Sequence, residues 1–193
     1  MKKAFWPLMF ALALTNCVDN REYLPLIDTL TALRQPYPTD SVRTAVLHDL
    51  EVDYDPAFQI TSRADRTLVL EREVLPGVPS TLRIEVQRRA DPRGNIGVGD
   101  LEDAFLRTQR GNRKVELLAS TTRPINQRNH LVGVTRRKDD PTTLTITYAA
   151  VRPGSQNIYY LVACHAEGEQ LEQLQLVAKR LINSLAWVQP PRN

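Results

Sequence analysis

The segment from Glu169 to Trp187 limits what this chain can become more than any other. Leu171, Leu174, Val177, Ala178, Leu181, Ile182 and Leu185 recur at steps of three and four, so one stripe of a helix must face a core. Glu167, Glu169 and Glu172 lie near its start and Lys179 and Arg180 towards its end, charges that suit the helix dipole. Pro190 and Pro191 then stop it.

The sequence upstream reads mainly as strands. Arg66 to Glu73 contains Leu68-Val69-Leu70, and Val74 to Pro79 is a loop with Pro76, Gly77 and Pro79. Thr81 to Arg88 alternates, with Leu82, Ile84 and Val86 on one face and Arg83, Glu85 and Gln87 on the other, as a half-solvated antiparallel strand requires. Ala90 to Gly99 is a loop. Asp100 to Gln109 reads as a helix with Asp100 as N-cap, Leu101, Ala104, Phe105 and Thr108 on one side, and Gly111-Asn112 at its end. Four strands follow over Lys114–Thr121, His130–Arg137, Thr142–Val151 and Asn157–Ala166. Asp139-Asp140-Pro141 and Arg152-Pro153-Gly154-Ser155 are turns, which make the last three a meander. The order is two or three strands, a helix, four antiparallel strands and a terminal helix. It predicts an α+β fold, an antiparallel β-sheet covered by helices.

That order, together with Ile158-Tyr159-Tyr160-Leu161-Val162-Ala163 and the final helix ending Ile182-Asn183-Ser184-Leu185, resembles the PsbP-like superfamily, including the DcrB-like bacterial lipoproteins. The resemblance spans Ala45 to Trp187. It implies an α/β/α sandwich with a long C-terminal amphipathic helix, and a non-enzymatic binding or accessory role.

The start of the chain has a different logic. Lys2 and Lys3 precede an uncharged apolar run from Ala4 to Leu14, too short at eleven residues for a permanent membrane helix, which takes roughly 20. Leu14-Thr15-Asn16-Cys17 then resembles the bacterial lipobox, in which the Cys thiol is acylated and the chain is cut just before it. Asn16 departs from that pattern, which usually has Gly, Ala or Ser there. Two readings stay open. Cutting between Asn16 and Cys17 gives a lipoprotein with Cys17 as its acylated end. Cutting after Ala11-Leu12-Ala13 gives a soluble exported protein, in which Cys17 could pair with Cys164. By resemblance to enteric lipoproteins, Val18 rather than Asp after the Cys implies the outer membrane. The expected organisation is a signal peptide over 1–16, a tether with a short helix over 17–44, one domain over 45–188 and a tail over 189–193.

Export changes the meaning of the charge. The formal net charge is +3, but Lys2 and Lys3 lie in the segment to be removed, which holds no acid, so 25 less 2 leaves 23 basic against 22 acidic residues. Overall charge is then no argument for nucleic acid, and no partner of that kind is expected.

Candidate chemistry is sparse. No G-x-S-x-G, H-E-x-x-H or C-x-x-C motif occurs. Cys164 and His165 are adjacent, but neighbours on a strand point to opposite faces and cannot exchange a proton, so no catalytic residue is assigned. Glu51, Asp53 and Asp55, with Asp49 before them, alternate like the start of a calcium loop. Pro56 stands where that loop needs its Gly and Ser62 where it needs its closing Glu, which favours a solvated acidic edge or loop. Gly94 to Gly99 lacks the glycine order of a phosphate-binding loop. Arg107, Arg110, Arg113 and Lys114 form one basic group and Arg136, Arg137 and Lys138 another, both candidates for contact with an anion or a partner.

The sequence therefore predicts a membrane-anchored envelope lipoprotein facing the periplasm, without enzymatic activity or cofactor, that binds another envelope protein. Two other functions fit the same residues. One is an immunity or inhibitor lipoprotein against an exported toxin or lytic enzyme. The other is a small carrier of lipid or apolar ligand, which would need an open cavity beneath the terminal helix.

Overall fold

The computed structural model describes residues 42–73, 81–94, 96–125, 128–140, 142–155, 157–166 and 171–188. The expected signal peptide, Asn16, Cys17, nearly all of the tether, the loop at 74–79 and the tail lie outside these residues. Five strands come first: β1 (Arg43–Leu47), β2 (Leu50–Tyr54), β3 (Gln59–Ala64), β4 (Thr67–Glu73) and β5 (Thr81–Ala90). Helix α1 (Val98–Gly111) leads to β6 (Val115–Ile125), β7 (Arg128–Arg137), β8 (Leu144–Val151) and β9 (Ile158–Ala166). Helix α2 (Leu171–Ser184) and a short β10 (Ala186–Trp187) close the described chain.

Seven strands form one antiparallel sheet in the order β3-β4-β5-β9-β8-β7-β6. It is two meanders joined where β5 meets β9, with Val86 opposite Val162. Helix α1 carries the chain from β5, inside the sheet, to β6 at its far edge. The last three strands then fold back towards β5.

Alternation decides which face each residue joins. On one face Leu82, Ile84 and Val86 of β5, Ile146 and Tyr148 of β8, and Tyr160, Val162 and Cys164 of β9 form the main core. Leu174, Ala178, Leu181 and Ile182 of α2 pack onto it, and so do Leu50, Val52 and Tyr54 of β2, which lies in a second sheet of order β1-β2-β10. On the opposite face Leu131 and Ala149 meet Leu101 and Phe105 of α1 in a smaller core. Strand β8 runs through both cores, and its five residues from Ile146 to Ala150 are all buried.

One glycine is essential to that second contact. A Cβ on Gly133 in β7 would sit 2.5 Å from two ring atoms of Phe105, so the ring lies directly on the strand backbone.

Several expectations need correction. Among the described residues five strands, not two or three, precede α1. Only part of the acidic stretch is loop: Glu51 and Asp53 face outward from β2, the middle strand of its sheet, because Leu50, Val52 and Tyr54 alternate inward, while Asp49 and Asp55 flank the strand. Helix α1 starts at Val98 with Gly97 as N-cap, and the Asp100 carboxylate accepts a bond from the Gly97 N–H at 2.8 Å from within the first turn. Helix α2 is described from Leu171 and ends at Ser184. Trp187 belongs instead to β10 opposite Leu50, where its ring meets Tyr160 edge-on at 5.5 Å. That short strand wins because it docks an aromatic side chain on the core, which one more helical turn would direct elsewhere.

Candidate groove beside the first helix

Helix α1 packs over β6, β7 and the near side of β8. Beyond it, no described element covers the same face of the sheet, and the step from helix to sheet makes a groove of about 220 Å³. Leu101, Ala104, Phe105, Thr108 and Gln109 form its helical wall. Thr147 of β8 and Tyr159, Leu161, Ala163 and His165 of β9 form its floor. Glu85, Gln87 and Arg89 of β5 form the far side. Cross-strand pairing produces this layout, since Glu85 lies opposite Ala163, Gln87 opposite Leu161 and Arg89 opposite Tyr159.

The polar side chains are ordered by bonds along β5. Arg83 Nη2 lies 3.3 Å from a Glu85 oxygen and its Nε 3.8 Å from Glu71. Gln87 donates to Glu85, and Arg89 donates to Gln87 Oε1 from Nε at 3.0 Å and Nη2 at 2.5 Å. At the inner end the Thr145 hydroxyl and His165 Nδ1 are 2.8 Å apart. Burial holds the His165 ring below its ordinary pKa, with Glu85 pulling it up and Arg83 pushing it down, so the ring is neutral at pH 7.

The Cys164–His165 pair is separated as strand geometry demands. Cys164 faces the main core, where burial alone pushes its thiol up to about 12 and keeps it protonated. His165 faces the groove instead.

The acidic residues diverge. Asp49, in the β1–β2 turn, accepts a bond from the Tyr160 hydroxyl and pairs with the Arg152 guanidinium. Burial, and next the hydrogen bond to Asp49, push the Tyr160 phenol up to about 12. Asp53 accepts from Thr44 Oγ1 at 2.8 Å, and Asp55 accepts from the Ala57 N–H at 2.8 Å. Glu51 stays on the outer face of β2. Among the described residues no group of three or more His, Cys, Asp or Glu could hold a metal.

The two basic groups come partly together. The Lys138 N–H donates to the Lys114 carbonyl at 2.9 Å, so Arg113 and Lys114 share a corner with Arg137 and Lys138. Two of these charges are matched, Arg136 by Glu116 at 2.8 Å and Arg137 by Asp139 at 2.6 Å. Arg107 and Arg110 are exposed on α1.

Under α2 the core holds Leu174, Ala178, Leu181 and Ile182, all buried. The groove lies beside α1. Neither wall was singled out in the sequence, although the polar side of β5 and the Ala104–Thr108 side of α1 were both legible there.

No known family model and no curated protein matches the sequence. Solved structures do. Cyanobacterial PsbP (CyanoP) from Synechocystis sp. PCC 6803 superimposes with a TM-score of 0.53 at 10% identity, over 79% of this chain and 96% of that one. LpqN of Mycobacterium tuberculosis, described as involved in cell envelope biogenesis, gives 0.52 at 10% identity, over 77% and 91%. The fold of this chain is therefore PsbP-like.

Proposed function

We propose that this protein is a lipid-anchored accessory module of the bacterial cell envelope, without enzymatic activity, that binds a partner protein through the groove beside α1. The observation that carries the binding role is the unequal cover of the large sheet. One face is closed by α2 and a second sheet, while on the other the described residues leave Tyr159 and Leu161 half-buried beside a polar row on β5. An apolar floor with a few directional polar groups is what a recognition site needs.

The envelope location is supported by Leu14-Thr15-Asn16-Cys17 and by the likeness to LpqN. Val18 favours the outer membrane, with the domain facing the periplasm. Attachment falls to Cys17 in this reading; among the described residues no helix is long and apolar enough to cross a membrane. A role without chemistry is supported by the protonated thiol of Cys164 and by its separation from His165 across the sheet.

Two measurements test this. Cys17→Ser should move the protein from the membrane to the soluble fraction, and unchanged fractionation refutes the anchor. A photo-crosslinking residue at Gln109, on the groove, should trap one defined envelope protein, while the same residue at Lys138 should not. Equal yields at both sites refute the groove as the binding surface.

A further inference from the structure

The groove is unevenly neutralised. Glu85 is engaged by Arg83 and Gln87, and Arg83 is shared with Glu71. Arg89, at the outer end, donates to the neutral Gln87 oxygen, and among the described residues no carboxylate lies within ion-pairing distance of it. Elsewhere Arg93, Arg136, Arg137 and Arg152 each face a carboxylate. Among the described residues Arg89 is a groove cation that faces no carboxylate, and it stands beside Tyr159 and the apolar floor.

Size narrows the occupant. Pockets that enclose a free small molecule run from about 300 to 1,000 Å³. At about 220 Å³ and open along one side, this groove holds one large side chain, and the rest of the bound area must come from elsewhere. A protein partner supplies it, because beyond the groove and the buried Val69 of β4 the sheet ends in β3, whose six residues are all exposed among the described residues. A buried apolar anchor with a charged contact at its rim is how such surfaces concentrate their binding energy.

We propose that the groove receives an acidic peptide segment of a protein partner, with one large apolar side chain seated between Phe105 and Leu161 and an adjacent carboxylate paired with Arg89. The inference rests on reading the groove as the binding surface. It also fixes direction: the carboxylate lies at the Arg89 end, because Glu85 repels it from the inner end.

The test is calorimetric titration of the full chain, held in phosphatidylcholine nanodiscs, with three short capped peptides containing Phe-Glu, Phe-Gln or Ala-Glu, and with decanoate. Phe-Glu should bind about tenfold more tightly than either control, the worth of one charge-assisted contact or one small anchor. Arg89→Gln should abolish the preference for Glu over Gln and keep that for Phe over Ala; Leu161→Glu should remove binding of all three. Both positions carry side chains open to the groove, and unchanged melting temperatures will show that the variants fold. Absence of Phe-Glu binding, or equal affinity for Phe-Glu and Phe-Gln, overturns the proposal. Decanoate binding that is lost in Leu161→Glu, without peptide binding, overturns the peptide yet leaves the groove as a ligand site. Phe-Glu binding that ignores both variants removes the groove itself.

Discussion

Gly133→Ala is the most informative single substitution in this fold, because it probes how α1 is seated and therefore how the groove is shaped. The added Cβ would lie 2.5 Å from Cε1 and Cζ of Phe105, where carbon atoms prefer about 3.5 to 4.0 Å. The strand cannot retreat, since Gly133 is paired to Ser120 on one side and Thr147 on the other. The ring must withdraw by about 1 Å, which lifts α1 or swings Phe105 into the groove. Overpacking of this kind costs about 1–3 kcal/mol. Replacing glycine also removes freedom from the unfolded chain, which returns about 0.4–1 kcal/mol. The net expectation is a loss of about 1–2 kcal/mol, or about 2–8 °C in melting temperature for a chain of this size. Urea denaturation of four proteins tests the cause: the parent, Gly133→Ala, Phe105→Leu and the double variant. Leucine lacks the two clashing ring atoms, so in the Phe105→Leu background Gly133→Ala should cost nothing or stabilise slightly. An equal cost in both backgrounds, or a more stable single variant, refutes the contact as the seat of α1.

Three further outcomes follow from the buried and paired groups. In a Cys17→Ser chain Cys164 should react with a thiol reagent only at the rate of unfolding, since its thiol is buried and held up to about 12; fast labelling of the native protein refutes its place in the core. Asp91, Asp139 and Asp140 are each held below the ordinary carboxylate value of 3.8, chiefly by side-chain hydrogen bonds from Arg93, from Arg137, and from Thr142 and Thr143. Their contribution is present in full above 3.8 and is lost as pH falls through the depressed folded values, so the urea midpoint should drop on acidification below 3.8, and less steeply in Asp91→Asn. Tyr160→Phe removes the hydroxyl that meets Asp49 and should cost about 1–3 kcal/mol by chemical denaturation; a neutral result refutes the Asp49–Tyr160 bond.

What could be read from the sequence depended on whether the signal was local. β5 and β8 were legible because Leu82-Ile84-Val86 and Leu144-Ile146-Tyr148 alternate within a few residues. α2 was legible from its stripe, up to the point where Trp187 is claimed by a strand at Leu50, far away in sequence. β2 has the same alternation in Leu50, Val52 and Tyr54, but the acids interleaved with it read as a solvated edge or loop. The groove was not legible, because it depends on β5 lying against β9. A long-range pairing of this kind has no local signature, and without it Arg89, Tyr159 and Leu161 belong to unrelated segments. The basic residues stood out as runs, yet Arg136 and Arg137 are matched by Glu116 and Asp139.

The open surface follows from geometry as well as from composition. Seven strands at about 4.8 Å span roughly 30 Å, while one helix with its side chains is roughly 10 Å across and covers two or three of them. On the face of the main core the shortfall is met by the β1-β2-β10 sheet, whose Leu50, Val52 and Tyr54 extend the cover from α2. On the other face no described element does this, and α1 sits at the β6–β8 side. Strand composition matches that division. β8, beneath α1 and α2, is buried from Ile146 to Ala150, whereas β5, beyond the reach of α1, alternates Leu82-Ile84-Val86 inward with Arg83-Glu85-Gln87-Arg89 outward. β9 lies at the boundary, with Tyr160, Val162 and Cys164 in the main core and Tyr159 and Leu161 half covered on the other side. Half-covered apolar residues beside a polar row suit a partner that covers Leu161 and sets a carboxylate against the exposed Arg89.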